Sequence, residues 1–334
     1  MENHIVFQLY DDWNKIESKL SADMLFSDFF IYWLDRHKVR VQENTYNSYC
    51  LQAKAHIIPY FREKAITVSD LDGETIESYY SYKLSQGLSR STVMHHHTNI
   101  HSSLDFAVRH HLISYNPSNQ ITIPKKEFFK GQFYSTNELF ACLAAFRGHS
   151  LELCVLFAAL MGLRRSEILG LTWRDICIPE HTVTIRSTLV ISINPNTGKK
   201  YLIHKQRTKN QSSLRTLVLP QIIEQKLTEY LDHHIVRPEQ PVCLKPDGSK
   251  ISPAFLTSNF KKCLIHSGLR VIRFHDLRHS CATILHKNGY DIRDIQMWLG
   301  HSDITTTAKF YAHFNLEDKK RVASGLDKIM DQYQ

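Results

Sequence analysis

Two short segments of the chain place charged and titratable side chains at helical spacing. The segment GLRRSEILG puts Arg164 directly after an apolar stretch and Glu167 three residues later. In FHDLRHS, His275 and Arg278 are three residues apart, so on a helix they share a face. An imidazole and a guanidinium on one face form a good anion site, because one is titratable and the other permanently charged. The pair Arg164-Arg165 would also suit an ordinary solvated helix junction.

A third segment, LGHSDITTTAKFYAH, contains a possible nucleophile. His301 opens it and Tyr311 lies ten residues later. A tyrosine that attacks a phosphodiester stores the bond energy in an ester that can later be rejoined. Most of the 15 tyrosines are expected to be packing residues, and by itself Tyr311 could be one of them.

The segment FHDLRHS also admits a metal-binding interpretation. His275 and His279 are four residues apart with Asp276 between them, which superficially resembles the H-E-x-x-H zinc motif. Aspartate is one methylene shorter than the usual base, and no third ligand is obvious. We therefore expect neither a metal nor another cofactor.

Two basic stretches could contact phosphates. The run KKYLIHKQRTKNQSSLR has no acidic residue, and its cationic positions are Lys199, Lys200, Lys205, Arg207, Lys209 and Arg215. A second stretch, SNQITIPKKEFFKGQ, has no clean helical period and contains Lys125 and Lys126. Either could lie along DNA, and either could equally be a solvated hairpin or connector.

Composition limits the class of protein. A length of 334 residues suggests two domains. Lys and Arg (41) exceed Asp and Glu (33), which gives a net charge of +8 and suits a polyanionic partner, although many soluble proteins are mildly basic. Seven scattered cysteines without a C-x-x-C pair favour a reducing compartment. With no signal peptide or membrane span in view, we expect a cytoplasmic protein.

The elements that must position these residues follow from periodicity. Four helices are predicted in the first part, the first of them with Ser21 as a possible cap and the second with Pro59 near its end. The second part opens with the capping-box pattern of Ser135 and Glu138. Three stretches rich in β-branched residues follow, TVTIRSTLVISI, KKYLIHKQR and LRTLVLP, before helices resume. The predicted fold is mainly α with a small antiparallel sheet (α+β).

In combination and order, the motifs GLRRSE, TKNQSSLR, HDLRH and LGHSDITTTAKFY resemble the tyrosine recombinase (phage integrase) family. The likeness is greatest to integrases of bacterial phages and conjugative transposons. It implies a short N-terminal segment (1–20), a helical core-type DNA-binding domain (21–117), a linker (118–131) and a catalytic domain with a helical tail (132–334). Because the segment 1–20 is short, we expect no separate arm-binding domain.

The resemblance also implies the roles of the site residues. Tyr311 corresponds to the nucleophile, and Arg164 and Arg278 to the arginines that hold the phosphate. His275 corresponds to the residue that assists proton transfer, and His301 to a donor to the scissile phosphate. Lys209 is the best match to the hairpin lysine that protonates the leaving 5′ oxygen, although Lys205 and Arg207 are close by. Glu167 corresponds to a supporting acid.

The implied function is site-specific strand exchange on double-stranded DNA through a 3′-phosphotyrosine and a Holliday junction. The enzyme would act as a homotetramer on two sites and be monomeric or weakly associated when free. DNA-bending accessory proteins are possible partners, and no membrane is involved. The alternatives are a type IB topoisomerase-like DNA relaxase and a catalytically idle DNA-binding regulator.

Overall fold

The chain forms two compact units. The computed structural model describes residues 20–122, 132–193, 199–205 and 214–300. Of these, the first unit contains 20–122, 191–193 and 199–201, and the second contains 132–190, 202–205 and 214–300. Helices predominate in both units, which confirms the predicted fold class. Within the described ranges, every helix is too short or too polar to span a lipid bilayer.

The core of the first unit includes aromatic residues from one face of its first helix. Its helices are α1 (Phe26–His37), α2 (Glu43–Gln52), α3 (Ile58–Lys64), α4 (Gly73–Ser85) and α5 (Arg90–Arg109). Phe26, Phe29, Phe30 and Trp33 of α1 are all buried, as their spacing predicts. The predicted cap at Ser21 is wrong, because its hydroxyl accepts a hydrogen bond from the Asp23 amide and α1 begins only at Phe26.

Pro59 lies near the end of the second predicted helix, which runs on to Lys64. A π-helical segment, Ala53–Ile57, joins α2 to α3. Pro59 then stands in the first turn of α3, where a missing amide hydrogen costs little. The wider π turn accommodates the proline without breaking the helical path.

Side-chain caps fix the starts of the next two helices. The Asp72 carboxylate accepts from the Thr75 amide at 2.8 Å, and the Ser89 hydroxyl accepts from the Thr92 amide at 3.1 Å. Between the helices Gly87 has φ +85°, a left-handed conformation that favours glycine. Local sequence is therefore sufficient to define α4 and α5.

The second unit packs its helices around a separate apolar core. They are α6 (Thr136–Ala145), α7 (Glu152–Leu160), α8 (Arg165–Gly170), α9 (Gln221–His233), α10 (Pro253–His266), α11 (Asp276–Lys287) and α12 (Ile292–Leu299). At the start of α6, the Ser135 amide donates to the Glu138 carboxylate at 2.8 Å, and the Glu138 amide donates to the Ser135 hydroxyl at 3.3 Å. This confirms the predicted capping box. The central helix α7 is almost wholly buried and packs against α11.

Within the described residues, the strands form two small sheets instead of one. They are β1 (Ile176–Cys177), β2 (Thr182–Ile185), β3 (Thr188–Ile193), β4 (Lys200–Lys205) and β5 (Arg215–Val218). The sheet β1-β2-β5 is antiparallel and pairs buried Val183 with buried Leu217, whereas β3 pairs with β4. The stretch predicted as one strand breaks near Ser187, whose hydroxyl donates to the Gly170 carbonyl at 2.7 Å.

Candidate active site

A glycine turn after α7 leads into the first charged motif. Gly162 has φ +62°, and a Cβ atom there would lie 2.1 Å from a methyl group of Leu299. Only glycine fits this backbone and this close approach. The turn aims the Gly162 carbonyl at the Arg278 guanidinium, which donates to it. A backbone requirement in one motif thus positions a side chain of another.

Arg164 lies directly before α8 and donates three hydrogen bonds within the described residues. Its backbone amide donates to Glu167 Oε2 at 2.8 Å, and its Nη1 donates to Glu167 Oε1 at 2.6 Å. Its Nη2 donates to the carbonyl of Gly300 at 2.9 Å. About a third of the side chain (33%) stays accessible, so Arg164 is anchored and can still reach a bound anion.

Glu167 is a buried carboxylate between two arginines. Its side chain is only 1% exposed and lies 3.2 Å from Arg215 as well as 2.6 Å from Arg164. Burial alone would raise its pKa, but the charges of Arg215 and Arg164 outweigh burial, so the pKa lies below its ordinary value. Glu167 is therefore ionised at neutral pH and orients both guanidinium groups.

Arg278 is a buried cation with an open hydrogen-bonding position. The residue is 2% exposed, and its Nη1 donates to the Gly162 carbonyl. Its Nη2 has no hydrogen-bond partner among the described residues. Burial, together with the charge of Arg164, lowers its pKa to about 9. A buried guanidinium with an unpaired donor is costly in isolation and is satisfied by an anion.

His275 immediately precedes α11 and lies close to a second histidine. Burial, and then the charge of Arg278, lowers its pKa below the ordinary value. The ring of His279 is perpendicular to it at a centroid distance of 5.0 Å. Burial and the neighbouring His275 lower the pKa of His279 to about 4. Both rings are therefore neutral at pH 7, and a neutral His275 can accept a proton.

A salt bridge stabilises the start of α11. The buried carboxylate of Asp276 accepts from Arg273 at 3.1 and 2.7 Å and also from the Arg273 amide at 3.0 Å. One Asp276 oxygen lies 3.9 Å from Nε2 of His279. Asp276 thus has a structural partner. The described residues contain no group of three or more His, Cys, Asp or Glu side chains suited to a metal ion.

The structure brings four predicted residues together and leaves others outside its described ranges. Arg164, Glu167, His275 and Arg278 lie in one charged cluster of the second unit. Lys200 and Lys205 are the two ends of β4, and Lys199 precedes it. The remaining predicted positions lie outside the described residues: Lys125, Lys126, Arg207, Lys209, His301 and Tyr311. Gly300, which Arg164 contacts, directly precedes His301.

Sequence reasoning missed Arg215 as a member of this cluster. The sequence places it among the cationic residues of a stretch that could contact phosphates or be solvated, yet its side chain is only 8% exposed. Its Nη2 and Nη1 contact the two oxygens of Glu167 at 3.2 and 3.4 Å, and its Nε donates to the carbonyl of Trp298 at 3.3 Å. Neighbouring letters do not reveal this role, because Glu167 lies 48 positions earlier.

Comparison with known families identifies the family of the chain. The sequence profile of the phage integrase family matches residues 136–318, more than half of the chain. The chain belongs to the phage integrase family. A second profile, the N-terminal SAM-like domain of phage integrases, matches residues 25–84. The protein is therefore a tyrosine recombinase, a site-specific enzyme that breaks and rejoins DNA strands.

Proteins of similar sequence support this assignment of the recombinase. It is 26% identical to a XerC-like tyrosine recombinase of Caldanaerobacter subterraneus subsp. tengcongensis, over 78% of this chain and 72% of the relative. It is also 26% identical to the tyrosine recombinase XerD of Oceanobacillus iheyensis, over 86% of this chain and 92% of the relative.

Solved structures of integrases share the fold of the recombinase. The Tn1549 transposon integrase, solved with a circular intermediate DNA, aligns with a TM-score of 0.76 at 18% identity, over 91% of this chain and 99% of that one. A lambda integrase dimer bound to a core site aligns with a TM-score of 0.62 at 15% identity, over 85% of this chain and 97% of that one. At these identities the likeness establishes the fold alone.

Proposed function

We propose that the enzyme cleaves DNA by attack of Tyr311 on a scissile phosphate. The bond from phosphorus to the 5′ oxygen breaks, a 3′-phosphotyrosine forms and a 5′ hydroxyl leaves. Arg164 and Arg278 hold the phosphoryl oxygens, and Glu167 orients Arg164. His275 assists proton transfer around the nucleophile. Because tyrosine has an ordinary pKa near 10, this neighbouring base and positive field are needed to activate it.

The buried guanidinium of Arg278 carries this proposal. Its Nη2 is buried and has no hydrogen-bond partner among the described residues, its Nη1 is already bonded to a carbonyl, and Arg164 adds positive charge to its surroundings. A phosphoryl group entering the cluster would accept from Nη2 and offset both charges. Donors placed in this way stabilise the extra charge of the transition state, and the loss of one typically costs about 10²–10³ in rate.

Three further roles are proposed for residues outside the described ranges. His301 donates a hydrogen bond to the scissile phosphate, Lys209 protonates the leaving 5′ oxygen and Tyr311 is the nucleophile. Their order along the chain supports these roles. For His301 there is a second argument, because Arg164 already contacts the preceding Gly300 at its carbonyl oxygen.

We propose that the chain is divided into the domains that the sequence predicts. Residues 21–117 form the DNA-gripping domain, 118–131 the linker and 132–334 the catalytic domain with its tail, after the short segment 1–20. The basic residues of the linker and the β3–β4 region contact phosphates through charge, so binding weakens as salt rises. These residues are Lys125, Lys126, Lys199, Lys200, Lys205 and Arg207.

The active assembly is proposed to be a homotetramer on two double-stranded DNA sites. A lambda integrase tetramer bound to a Holliday junction has the same fold, with a TM-score of 0.60. The free protein is proposed to be monomeric or weakly associated, to act in the cytoplasm and to use DNA-bending accessory proteins.

A trapping experiment tests the nucleophile. Nicked duplexes made from the DNA that flanks the gene are incubated with the protein, and adducts that survive denaturant are isolated and sequenced. Wild-type protein should yield an adduct at one defined phosphate. Tyr311→Phe should bind the same DNA and form none, since it lacks the attacking oxygen. The matched control Tyr290→Phe removes a hydroxyl from an exposed tyrosine of the same unit and should leave the adduct unchanged.

The same assay separates the alternatives. A denaturant-stable adduct in Tyr311→Phe would overturn the assignment of the nucleophile. An adduct with DNA relaxation but without exchange between two sites would indicate a topoisomerase. Binding without any adduct in the wild-type protein would indicate a regulator.

A further inference from the structure

We infer that Arg215 is a positioning residue that fixes Arg164 and the backbone entering His301. The inference rests on the roles proposed above for Arg164 and His301. Arg215 is the first residue of β5 and pairs with Ile185 of β2. Its guanidinium is almost wholly buried in the charged cluster, although the sequence places it in a basic hairpin.

The first contact of Arg215 acts on Arg164 through a shared carboxylate. Glu167 receives two nitrogens from Arg215, at 3.2 and 3.4 Å, and two donors from Arg164, at 2.6 and 2.8 Å. A fully buried carboxylate needs several donors to stay ionised without strain. Without Arg215, Arg164 is left to neutralise the Glu167 carboxylate and to donate hydrogen bonds to it. We expect Arg164 to be drawn towards Glu167 and away from the phosphate position.

The second contact of Arg215 acts on the end of α12. Its Nε donates to the carbonyl of Trp298 at 3.3 Å. The helix then ends at Gly300, which has φ +69°, and a Cβ there would lie 2.7 Å from Nη1 of Arg215. The guanidinium therefore lies directly on the backbone of Gly300, whose carbonyl accepts from Arg164. This backbone continues into His301.

One planar side chain thus joins three segments of the site. Arg215 connects β5, which follows the stretch containing Lys209, with the α8 carboxylate and the end of α12. The three contacts use different nitrogens of one rigid fork. Lysine offers a single compact charge on a flexible stem and cannot reproduce this geometry. Charge alone should therefore be insufficient at position 215.

The test compares Arg215→Gln and Arg215→Lys with a matched control, Arg186→Gln. Arg186 is also paired with a buried carboxylate of the second unit, Asp175, at 2.8 Å, and it lies outside the charged cluster. DNA affinity and single-turnover cleavage are measured on the nicked duplex whose sequence the trapped adduct reveals. Because a misplacement of about 1 Å can cost roughly 10²-fold, both Arg215 variants should cleave at least about tenfold more slowly. Their dissociation constants, and both properties of Arg186→Gln, should stay within about threefold of wild type.

A neutral substrate separates positioning from loss of fold. Replacing one non-bridging oxygen of the scissile phosphate by methyl removes the negative charge that Arg164 would offset. If Arg215 acts through Arg164, its variants should lose much less on this methylphosphonate than on the phosphate. An unfolded fraction would reduce both rates equally, so the ratio of the two rates does not depend on how much protein is folded.

Each outcome has a defined meaning. Cleavage of the phosphate by Arg215→Gln within about threefold of wild type would overturn the inference. Equal losses on both substrates, or full rescue by Arg215→Lys, would also overturn it. Arg164→Gln is measured in parallel. Cleavage at the wild-type rate by that variant would refute the proposed role of Arg164, a failure that is distinct from that of Arg215.

Discussion

Replacing the buried Arg278 by methionine should stabilise the fold and abolish cleavage. The guanidinium is 2% exposed, it has one protein acceptor and its Nη2 is unpaired within the described residues. Arg164 and Arg215 add positive charge to its surroundings, and the nearby Glu167 is already bonded to both of them. In the absence of DNA, this buried charge therefore destabilises the folded protein.

The magnitude follows from the depressed pKa. A decrease from 12.5 to about 9 corresponds to roughly 5 kcal/mol against the charged form. Methionine removes that penalty but leaves the Gly162 carbonyl without its donor, which costs about 1–3 kcal/mol. The expected net gain is about 2–4 kcal/mol, in the range found when buried charges are replaced by apolar side chains. For a unit of this size the melting temperature should rise by roughly 4 to 16 °C.

Calorimetry of the DNA-free protein and single-turnover cleavage measure the two effects. The matched control is Arg186→Met. Because it leaves the buried Asp175 without its cation, it should lose about 1–3 kcal/mol and keep cleavage. If Arg278→Met were less stable than wild type by more than about 1 kcal/mol, the buried charge would be stabilising and the reasoning refuted.

Two further predictions concern stability. Gly162→Ala should lower the free energy of unfolding in denaturant by about 2–4 kcal/mol, because it combines a strained φ with a clash at Leu299. Gly148→Ala, with open space around it, should lower it by only about 1 kcal/mol. Equal losses would argue against the clash. Burial and the neighbouring His56 lower the pKa of His96 to about 4, below its value in the unfolded chain. The neutral ring therefore contributes fully to the free energy of unfolding above pH 6.5, and this contribution is lost as the pH falls towards 4. Between pH 7 and pH 4, the free energy of unfolding of His96→Gln should therefore fall by roughly 2–3 kcal/mol less than that of wild type. An unchanged pH dependence would contradict this account.

Local features of the fold were predictable because their causes lie within a few residues of sequence. The capping box of Ser135 and Glu138 and the buried stripe of α1 were confirmed. The π-helical segment that precedes Pro59 was not predicted. The strand stretch around Ser187 was also misjudged, since its break depends on a hydrogen bond to Gly170.

The sequence by itself determined which residue types the site contains and in what order they occur. Arg164 with Glu167, and His275 with Arg278, are separated by three positions each, and in each pair the first residue lies directly before the helix whose first turn contains the second. The order of the motifs was sufficient to indicate the recombinase family.

Only the tertiary structure decided how these groups interact. Arg278 meets the Gly162 carbonyl across 116 positions, and Arg215 meets Glu167 across 48. No local pattern encodes such contacts, and the depressed pKa of Arg278 and the neutral state of His275 arise from burial that only packing creates. The sequence therefore supplied the chemical groups, whereas the fold determined their charge states and made Arg215 part of the site.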